Sequence, residues 1–232
     1  MRSGWIQAHS GCPPPVSGEP AMNLLEKMVA ALALAVFAGA VAADDLDAGK
    51  ASYASCIACH GDSAQGNQAL NAPRLNHLEP VYIAAQLQKF RDGIRGGEGD
   101  TAISKQMAPM AATLADAKAI ADVAAYIASL DSPSSPVTVS GDVAMGADYY
   151  NQFCGACHGA GGVGNPALNS PRLVGADDWY TQAQLLSFRG GHRGSHPEDK
   201  TGRQMRAMAA VLPDEQAVKD VVAYLRSLAP QD

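Results

Sequence analysis

The chain has 232 residues, of which 47% are hydrophobic and 17% charged, a composition typical of a soluble globular protein with one large or two small domains. Lysine and arginine number 17 against 23 aspartates and glutamates, giving a formal net charge of −6. This acidic balance argues against nucleic-acid binding through a basic face. The five cysteines are an odd number, which excludes a disulfide framework that uses all of them.

The N-terminal segment has the features of an export signal. An apolar run over residues 28–41 follows Lys27 and ends in an Ala-Val-Ala cleavage pattern. The run is short for a membrane span, so we favour cleavage over an uncleaved anchor that would keep the protein at the membrane. We predict a leader over residues 1–43, with a signal peptide at 22–42 and an upstream stretch at 1–21 that has no apolar period.

The rest of the chain consists of two copies of one sequence, offset by 98 residues. An ungapped comparison of residues 56–130 with residues 154–228 finds 36 identical positions among 75. A Ser- and Pro-rich stretch without helical period separates the copies, as expected of a semi-extended linker. We predict a first domain at residues 44–131, a linker at 132–141 and a second domain at 142–232.

Both copies are predicted to be helical, so the expected fold class is all-α. Apolar residues near the end of each copy follow the spacing of an amphipathic helix. These residues are Ile120, Val123, Ala124, Ile127 and Leu130, and Val218, Val221, Val222, Leu225 and Leu228. Middle helices are predicted at 81–91 and 180–189. At about ninety residues each, the domains would be stabilised by a large bound cofactor.

Four cysteines form two C-x-x-C-H motifs, which are typical of covalent c-type haem attachment. The motifs are Cys56, Cys59 and His60, and Cys154, Cys157 and His158. Two thiols three residues apart on a helical turn can form thioethers with both vinyl groups of one porphyrin, and the adjacent histidine then reaches the iron. A zinc site needs four ligands and a redox dithiol is typical of an α/β fold, so these alternatives fit less well. The sequence predicts two haem c groups.

Methionine is the candidate for the sixth iron ligand in each copy. The offset relates two methionine pairs, which are Met107 with Met205 and Met110 with Met208. Spacing alone does not choose between them, because one methionine of each M-x-x-M can be a core residue. A thioether ligand raises the reduction potential relative to two histidines. Three histidines lack a counterpart in the other copy and are expected on the surface: His77, His192 and His196.

The order of motifs resembles that of the diheme cytochrome c4 family. Each copy has C-x-x-C-H, then P-R-L, then M-x-x-M and a final helix with Ala-Tyr, over roughly residues 44–230. The resemblance implies two class I cytochrome c domains about a pseudo-twofold axis, with haem propionates directed to the interface. It also implies that Met107 and Met205 are the axial ligands, and that the carbonyls of Pro73 and Pro171 accept from the ligating histidines.

Three arginine pairs are related by the offset and are candidates for pairing with haem propionates. They are Arg74 with Arg172, Arg91 with Arg189, and Arg95 with Arg193. We assign the propionate contact to Arg74 and Arg172, and solvated surface is the alternative for the other two pairs.

The resemblance implies a periplasmic carrier, soluble or peripherally associated with the membrane, that passes single electrons between respiratory-chain partners and has no catalytic residues. Family analogy suggests a quinol-oxidising complex as donor and a haem–copper terminal oxidase as acceptor. The main alternative is the haem subunit of a flavocytochrome or another periplasmic dehydrogenase. A diheme peroxidase would need an iron with an open sixth position, and the repeated methionines argue against that.

Overall fold

The computed structural model describes residues 44–228, and the predicted signal peptide lies outside this range. The described part of the chain is helical, with short 3₁₀ turns, as the sequence predicts. The first repeat contains α1 (Leu46–Tyr53), α2 (Ile57–His60), α3 (Pro80–Arg91), α4 (Ala102–Ala111) and α5 (Ala117–Ser129). The second contains α6 (Val143–Tyr149), α7 (Gly155–His158), α8 (Asp178–Arg189), α9 (Lys200–Ala209) and α10 (Glu215–Ser227). The 3₁₀ turns are Gln68–Leu70, Ala160–Gly162 and Pro166–Leu168.

The first and last helices of each repeat cross at close range, α1 against α5 and α6 against α10. A Cβ atom on Gly49 would overlap the carbonyl oxygen of Asp122, and one on Gly146 would overlap that of Asp220. Only glycine therefore allows the two backbones to approach this closely. The aspartate side chains reinforce the crossing, because each accepts a hydrogen bond from the residue that caps the first helix, at 2.9 and 2.8 Å.

The predicted amphipathic helices form the cores of both repeats. In α5 the side chains of Ile120, Val123 and Ile127 are buried, and α10 buries Val218 and Val222 in the same way. Each helix begins at an aspartate whose side chain accepts a backbone N–H three residues later. The middle helices are also present, and each begins one or two residues earlier than predicted.

The repeats differ by one residue just before the first cysteine of each motif. Two residues separate Tyr53 from Cys56, whereas three separate Tyr150 from Cys154. The second repeat takes up the additional residue in a π-helical turn at Tyr150–Cys154. Both tyrosine hydroxyls still donate to the carbonyl of the glycine that follows C-x-x-C-H, at 2.7 and 2.8 Å.

The linker has no helix, as predicted, but it is bound to both repeats. The buried carboxylate of Asp178 accepts from the N–H and hydroxyl of Thr138, at 2.5 and 2.7 Å, and from the N–H of Val139 at 2.8 Å. Arg74 donates to the carbonyl of Ser132 at 2.6 Å. The linker therefore fixes the two repeats to each other rather than acting as a free spacer.

The two repeats belong to one compact unit beginning at Asp44, and an ion pair joins them on one side. Nζ of Lys89 lies 2.6 Å from Oδ1 of Asp199. The offset relates Lys89 to Ser187 and Asp199 to Thr101, so the symmetry-related position has no such pair. Among residues 44–228, no helix has both the length and the apolar character needed to cross a membrane.

Candidate functional site

Each C-x-x-C-H motif forms one helical turn that brings two thiols and an imidazole together. The backbone N–H of His60 donates to the carbonyl of Cys56 at 2.9 Å, which closes the turn. The first cysteine of each motif is half-buried, while Cys59 and Cys157 are exposed, and none of the four forms a disulfide within residues 44–228. Burial raises the pKa of the Cys154 side chain.

The motif histidines are buried, and each is held in one tautomer. Nδ1 of His60 lies 2.8 Å from the carbonyl oxygen of Pro73, and Nδ1 of His158 lies 2.9 Å from that of Pro171. A carbonyl only accepts, so Nδ1 carries the proton and Nε2 keeps its lone pair. Burial lowers the pKa of both imidazoles, the proline carbonyl opposes this effect in each repeat, and for His60 the Asp177 carboxylate opposes it as well.

In the second repeat this free lone pair faces a thioether. Nε2 of His158 lies 3.4 Å from Sδ of Met205 on α9. With the proton on Nδ1, neither atom has a hydrogen to donate, so two Lewis bases face each other. A nitrogen and a thioether sulfur are a ligand set for a transition-metal ion such as haem iron. Met107 is half-buried at the equivalent place on α4, whereas Met110 and Met208 are exposed, at 38% and 37%.

In each repeat, a glycine packs closely against the peptide that contains the proline carbonyl, although neither glycine was singled out from the sequence. Gly66 and Gly164 have φ angles of +83° and +84°. A Cβ atom there would come within 2.5 and 2.6 Å of the backbone nitrogens of Arg74 and Arg172. The N–H groups of Gly66 and Gly164 donate to the carbonyls of the motif histidines, at 2.9 and 2.8 Å. The Gly-Asn pair that recurs at the 98-residue offset is the sequence signal that could have identified them.

Arg74 and Arg172 lie at the junction between the repeats. Besides its bond to the linker, Arg74 donates to the carbonyl of Gly175 at 3.4 Å. Arg172 donates through Nε to the carbonyl of Val174 at 3.2 Å. Arg91 and Arg189 bond carbonyls just before the last helix of their own repeat, at 2.9 and 3.2 Å, on the exposed side of each domain.

Arg95 and Arg193 form the centre of a buried cluster between the repeats, so the surface alternative is wrong for this pair. They are 6% and 7% exposed, and each guanidinium stacks on a phenylalanine ring of its own repeat. Their hydrogen-bond partners are all neutral and come from both repeats: Tyr82, Gln86, Tyr180 and Gln184. Two buried cations with neutral partners fit a ligand that carries carboxylates, as the propionates of haem do.

His77, which we expected on the surface, is half-buried. Its Nδ1 is buried and has no hydrogen-bond partner among residues 44–228. Burial, together with the positive charges of Arg74 and Arg172, lowers the pKa of His77 to about 3. His192 is exposed, as predicted, with Nδ1 3.2 Å from the carbonyl oxygen of Gly99, and His196 is half-buried.

Known proteins share both the sequence pattern and the fold. The cytochrome c family model matches residues 46–131 and again residues 143–229. A thiosulfate dehydrogenase electron acceptor from Thiomonas intermedia is 35% identical over 154 residues, covering 62% of this chain and 67% of the relative. Cytochrome c4 from Stutzerimonas stutzeri is 31% identical over 207 residues, covering 85% of this chain and 95% of the relative.

The crystal structure of reduced recombinant cytochrome c4 from Pseudomonas stutzeri gives a TM-score of 0.60 at 27% identity, over 79% of this chain and 98% of that one. The paired thiols, the imidazole and thioether lone pairs and the buried guanidinium cluster all fit the chemistry of haem c. The expected fold of two tandem class I cytochrome c domains is thereby confirmed. The chain belongs to the cytochrome c family, as a diheme, cytochrome c4-like electron-transfer protein with covalently bound haem c.

Proposed function

We propose that the protein is a periplasmic electron carrier in which each repeat binds one haem iron between a histidine and a methionine. The iron ligands are His60 and Met107 in the first repeat and His158 and Met205 in the second. The thioether attachments are Cys56 and Cys59, and Cys154 and Cys157. The observation that carries this proposal is the 3.4 Å approach of two proton-free bases, Nε2 of His158 and Sδ of Met205.

The protein side chains in this arrangement would position a redox centre. When bound, each haem supplies a one-electron ferric–ferrous couple. The proline carbonyls keep the imidazole proton on Nδ1, so the imidazole and the methionine sulfur would be the two side-chain ligands of the iron. Arg95 and Arg193 would hold the propionates between the repeats. This differs from the sequence-based assignment to Arg74 and Arg172, whose guanidinium groups donate to backbone carbonyls.

Electron transfer to a partner requires a small contact surface that forms and separates quickly. Both repeats expose apolar side chains at equivalent positions. Leu70 and Leu168 are each 49% exposed, and Met110 and Met208 lie on the ligand-bearing helices. The two surfaces could each contact one redox partner, one the electron donor and the other the electron acceptor. We propose a quinol-oxidising complex as the donor and a terminal oxidase as the acceptor.

A second candidate function is that of an electron acceptor for a periplasmic dehydrogenase. It is favoured by the 35% identity to a protein described as a thiosulfate dehydrogenase electron acceptor. The haem chemistry would be the same, with a dehydrogenase as the donor. Co-purification of a stable dehydrogenase with the native protein would support this candidate over the respiratory carrier.

A carbon monoxide difference spectrum of the reduced holoprotein tests the ligand assignment. Wild-type protein should show no change at neutral pH, because carbon monoxide needs an open iron position. Met205→Ala should bind one carbon monoxide per protein, and the matched variant Met208→Ala should bind none. Stoichiometric binding to wild-type protein would replace the carrier with an enzyme or gas-binding protein. If Met208→Ala opens the site instead, the methionine assignment is wrong.

A further inference from the structure

The peptide between Pro73 and Arg74 has a hydrogen bond at each end. Its carbonyl oxygen lies 2.8 Å from Nδ1 of His60, and its N–H donates to Oδ2 of Asp177 at 2.7 Å. The carbonyl and N–H of one peptide are conjugated, so a carboxylate on the N–H increases the electron density on the oxygen. A carboxylate of the second repeat therefore acts on the histidine of the first repeat through a single peptide group.

Asp177 is built into this position. It is 2% exposed, and its other carboxylate oxygen, Oδ1, is buried without a hydrogen-bond partner among residues 44–228. It occupies the N-cap of α8, yet its side chain does not cap that helix and bonds the first repeat instead. The positive end of the α8 dipole stabilises the negative charge there. Burial keeps water from screening the interaction of this charge with the peptide.

The equivalent contact in the second repeat is weaker. The peptide between Pro171 and Arg172 has its carbonyl 2.9 Å from Nδ1 of His158, and its N–H donates to Oε2 of Glu79 at 3.4 Å. Glu79 is the counterpart of Asp177 at the 98-residue offset. It is half-exposed and lines a cleft between the repeats, so solvent screens its charge. The longer bond and the solvent both weaken the effect of Glu79 on His158.

We propose that Asp177 is a positioning residue that lowers the reduction potential of the first-repeat haem below that of the second. The inference rests on the histidine ligation proposed above. A stronger acceptor on Nδ1 makes the imidazole a more electron-donating ligand. Reduction adds one electron to iron and breaks no bond, so the ferric state has one more positive charge and gains more from this ligand and from the nearby carboxylate. Electrons therefore prefer the second-repeat haem.

The variant Asp177→Asn in the full-length holoprotein tests this proposal. The amide oxygen of asparagine can still accept from the N–H of Arg74, so the peptide keeps its position while the charge is lost. We expect the first haem to become easier to reduce by about 3- to 10-fold, or about 28 to 59 mV. Spectroelectrochemical titration with haem-resolved NMR signals measures both potentials. The matched control, Glu79→Gln, should change the second haem by less than a third of that amount.

Two results would overturn the proposal. One is an Asp177→Asn protein whose two potentials equal those of wild type. The other is an equal shift from Glu79→Gln, which would indicate a general charge effect. If the variant fails to fold, the reduced wild-type protein supplies a second measurement: the amide proton of Arg74 should resonate downfield of that of Arg172, and equal shifts would overturn the proposal. Carbon monoxide binding by wild-type protein would instead refute the ligand assignment, which separates the two failures.

Discussion

In the two repeats, the contacts around the histidines have nearly the same dimensions. The histidine–proline distances are 2.8 and 2.9 Å, and the tyrosine–glycine distances are 2.7 and 2.8 Å. The surroundings differ, because the acidic residue beside the proline peptide is buried at 2.7 Å in one case and half-exposed at 3.4 Å in the other. The linker and the Lys89–Asp199 pair add contacts on one side only.

A duplicated domain can vary some of its contacts more easily than others. Contacts inside each repeat involve backbone groups at close range, where one additional methyl group causes an overlap. Contacts between the repeats involve side-chain ends, which can change length or charge without moving the backbone. Two copies of one sequence can thus keep one ligand geometry and still provide two different redox environments.

The largest expected loss of stability comes from disrupting the helix crossing that is present inside each repeat. Gly49→Ala and Gly146→Ala should each lower the free energy of unfolding by about 3 kcal/mol, because the new methyl group overlaps a helix carbonyl. Guanidinium unfolding of the holoprotein measures this loss. Gly155→Ala is the control, since its Cβ would meet no atom closer than 3.5 Å. A large loss from only one of the two variants would mean that the helix crossings are not equivalent.

The second expected effect concerns a contact that only the second repeat makes, because Pro80 occupies the position in the first repeat that corresponds to Asp178. Burial opposes ionisation of Asp178, but hydrogen bonds from Thr138 and Val139 outweigh it and lower the pKa of this carboxyl. Its stabilising effect is therefore complete above the ordinary carboxyl pKa, near 4, and is lost as the pH falls through the lower folded value.

Asp178→Asn should accordingly lower the free energy of unfolding by about 2 kcal/mol at pH 7. Urea unfolding at several pH values should show wild type and variant converging in acid. The exposed Asp148→Asn serves as the control and should match wild type at every pH. A difference between Asp178→Asn and wild type that persists unchanged into acid would contradict the role given to the ionised carboxylate.

A smaller effect concerns the ion pair present on one side of the interface. In a double-mutant cycle, Lys89→Ala and Asp199→Asn should show a coupling energy of about 1 kcal/mol, since Lys89 is half-buried and Asp199 buried. Unfolding free energies of the four proteins give this value. The exposed Lys50→Ala, combined with Asp199→Asn, should show no coupling. Zero coupling for Lys89 would mean that the pair does not join the repeats.

The smallest expected effect tests the π-helical turn. Deleting Gln152 gives the second repeat the residue count of the first, and the turn can then close as it does there. The free energy of unfolding should change by less than about 1 kcal/mol, and both haems should remain attached. Unfolding curves and the haem content measure this outcome. Loss of the second haem would show that the additional residue is needed to place Cys154.

The sequence predicts most of this fold because its signals are local or repeated. The helix of Ile120 and Val123 follows from apolar spacing, and the choice of Cys56, Cys59 and His60 follows from one motif. The two methionines of each pair have the same local signal, so the spacing does not distinguish them; the family resemblance favours Met205, and the structure brings its sulfur to His158.

Residues at the contact between repeats could not be predicted in this way. His77 lacks a counterpart in the second repeat, which suggested a surface position, yet its Nδ1 is buried. Asp177 has the sequence signature of an N-cap, and nothing local indicates that its carboxylate bonds Arg74 instead. Such roles depend on how two domains dock, and periodicity within one domain carries no information about docking.

The cluster of Arg95 and Arg193 also bears on how the chain matures. Tyr82 and Gln86 complete the surroundings of Arg193, while Tyr180 and Gln184 complete those of Arg95. Each repeat thus supplies hydrogen-bond partners for the arginine of the other repeat. The repeat that is synthesised first lacks these partners until the second repeat has folded. In a protein truncated to one repeat, the guanidinium that is buried in the full chain would be exposed to water. Neither repeat can therefore be lost without changing the surroundings of the arginine in the other.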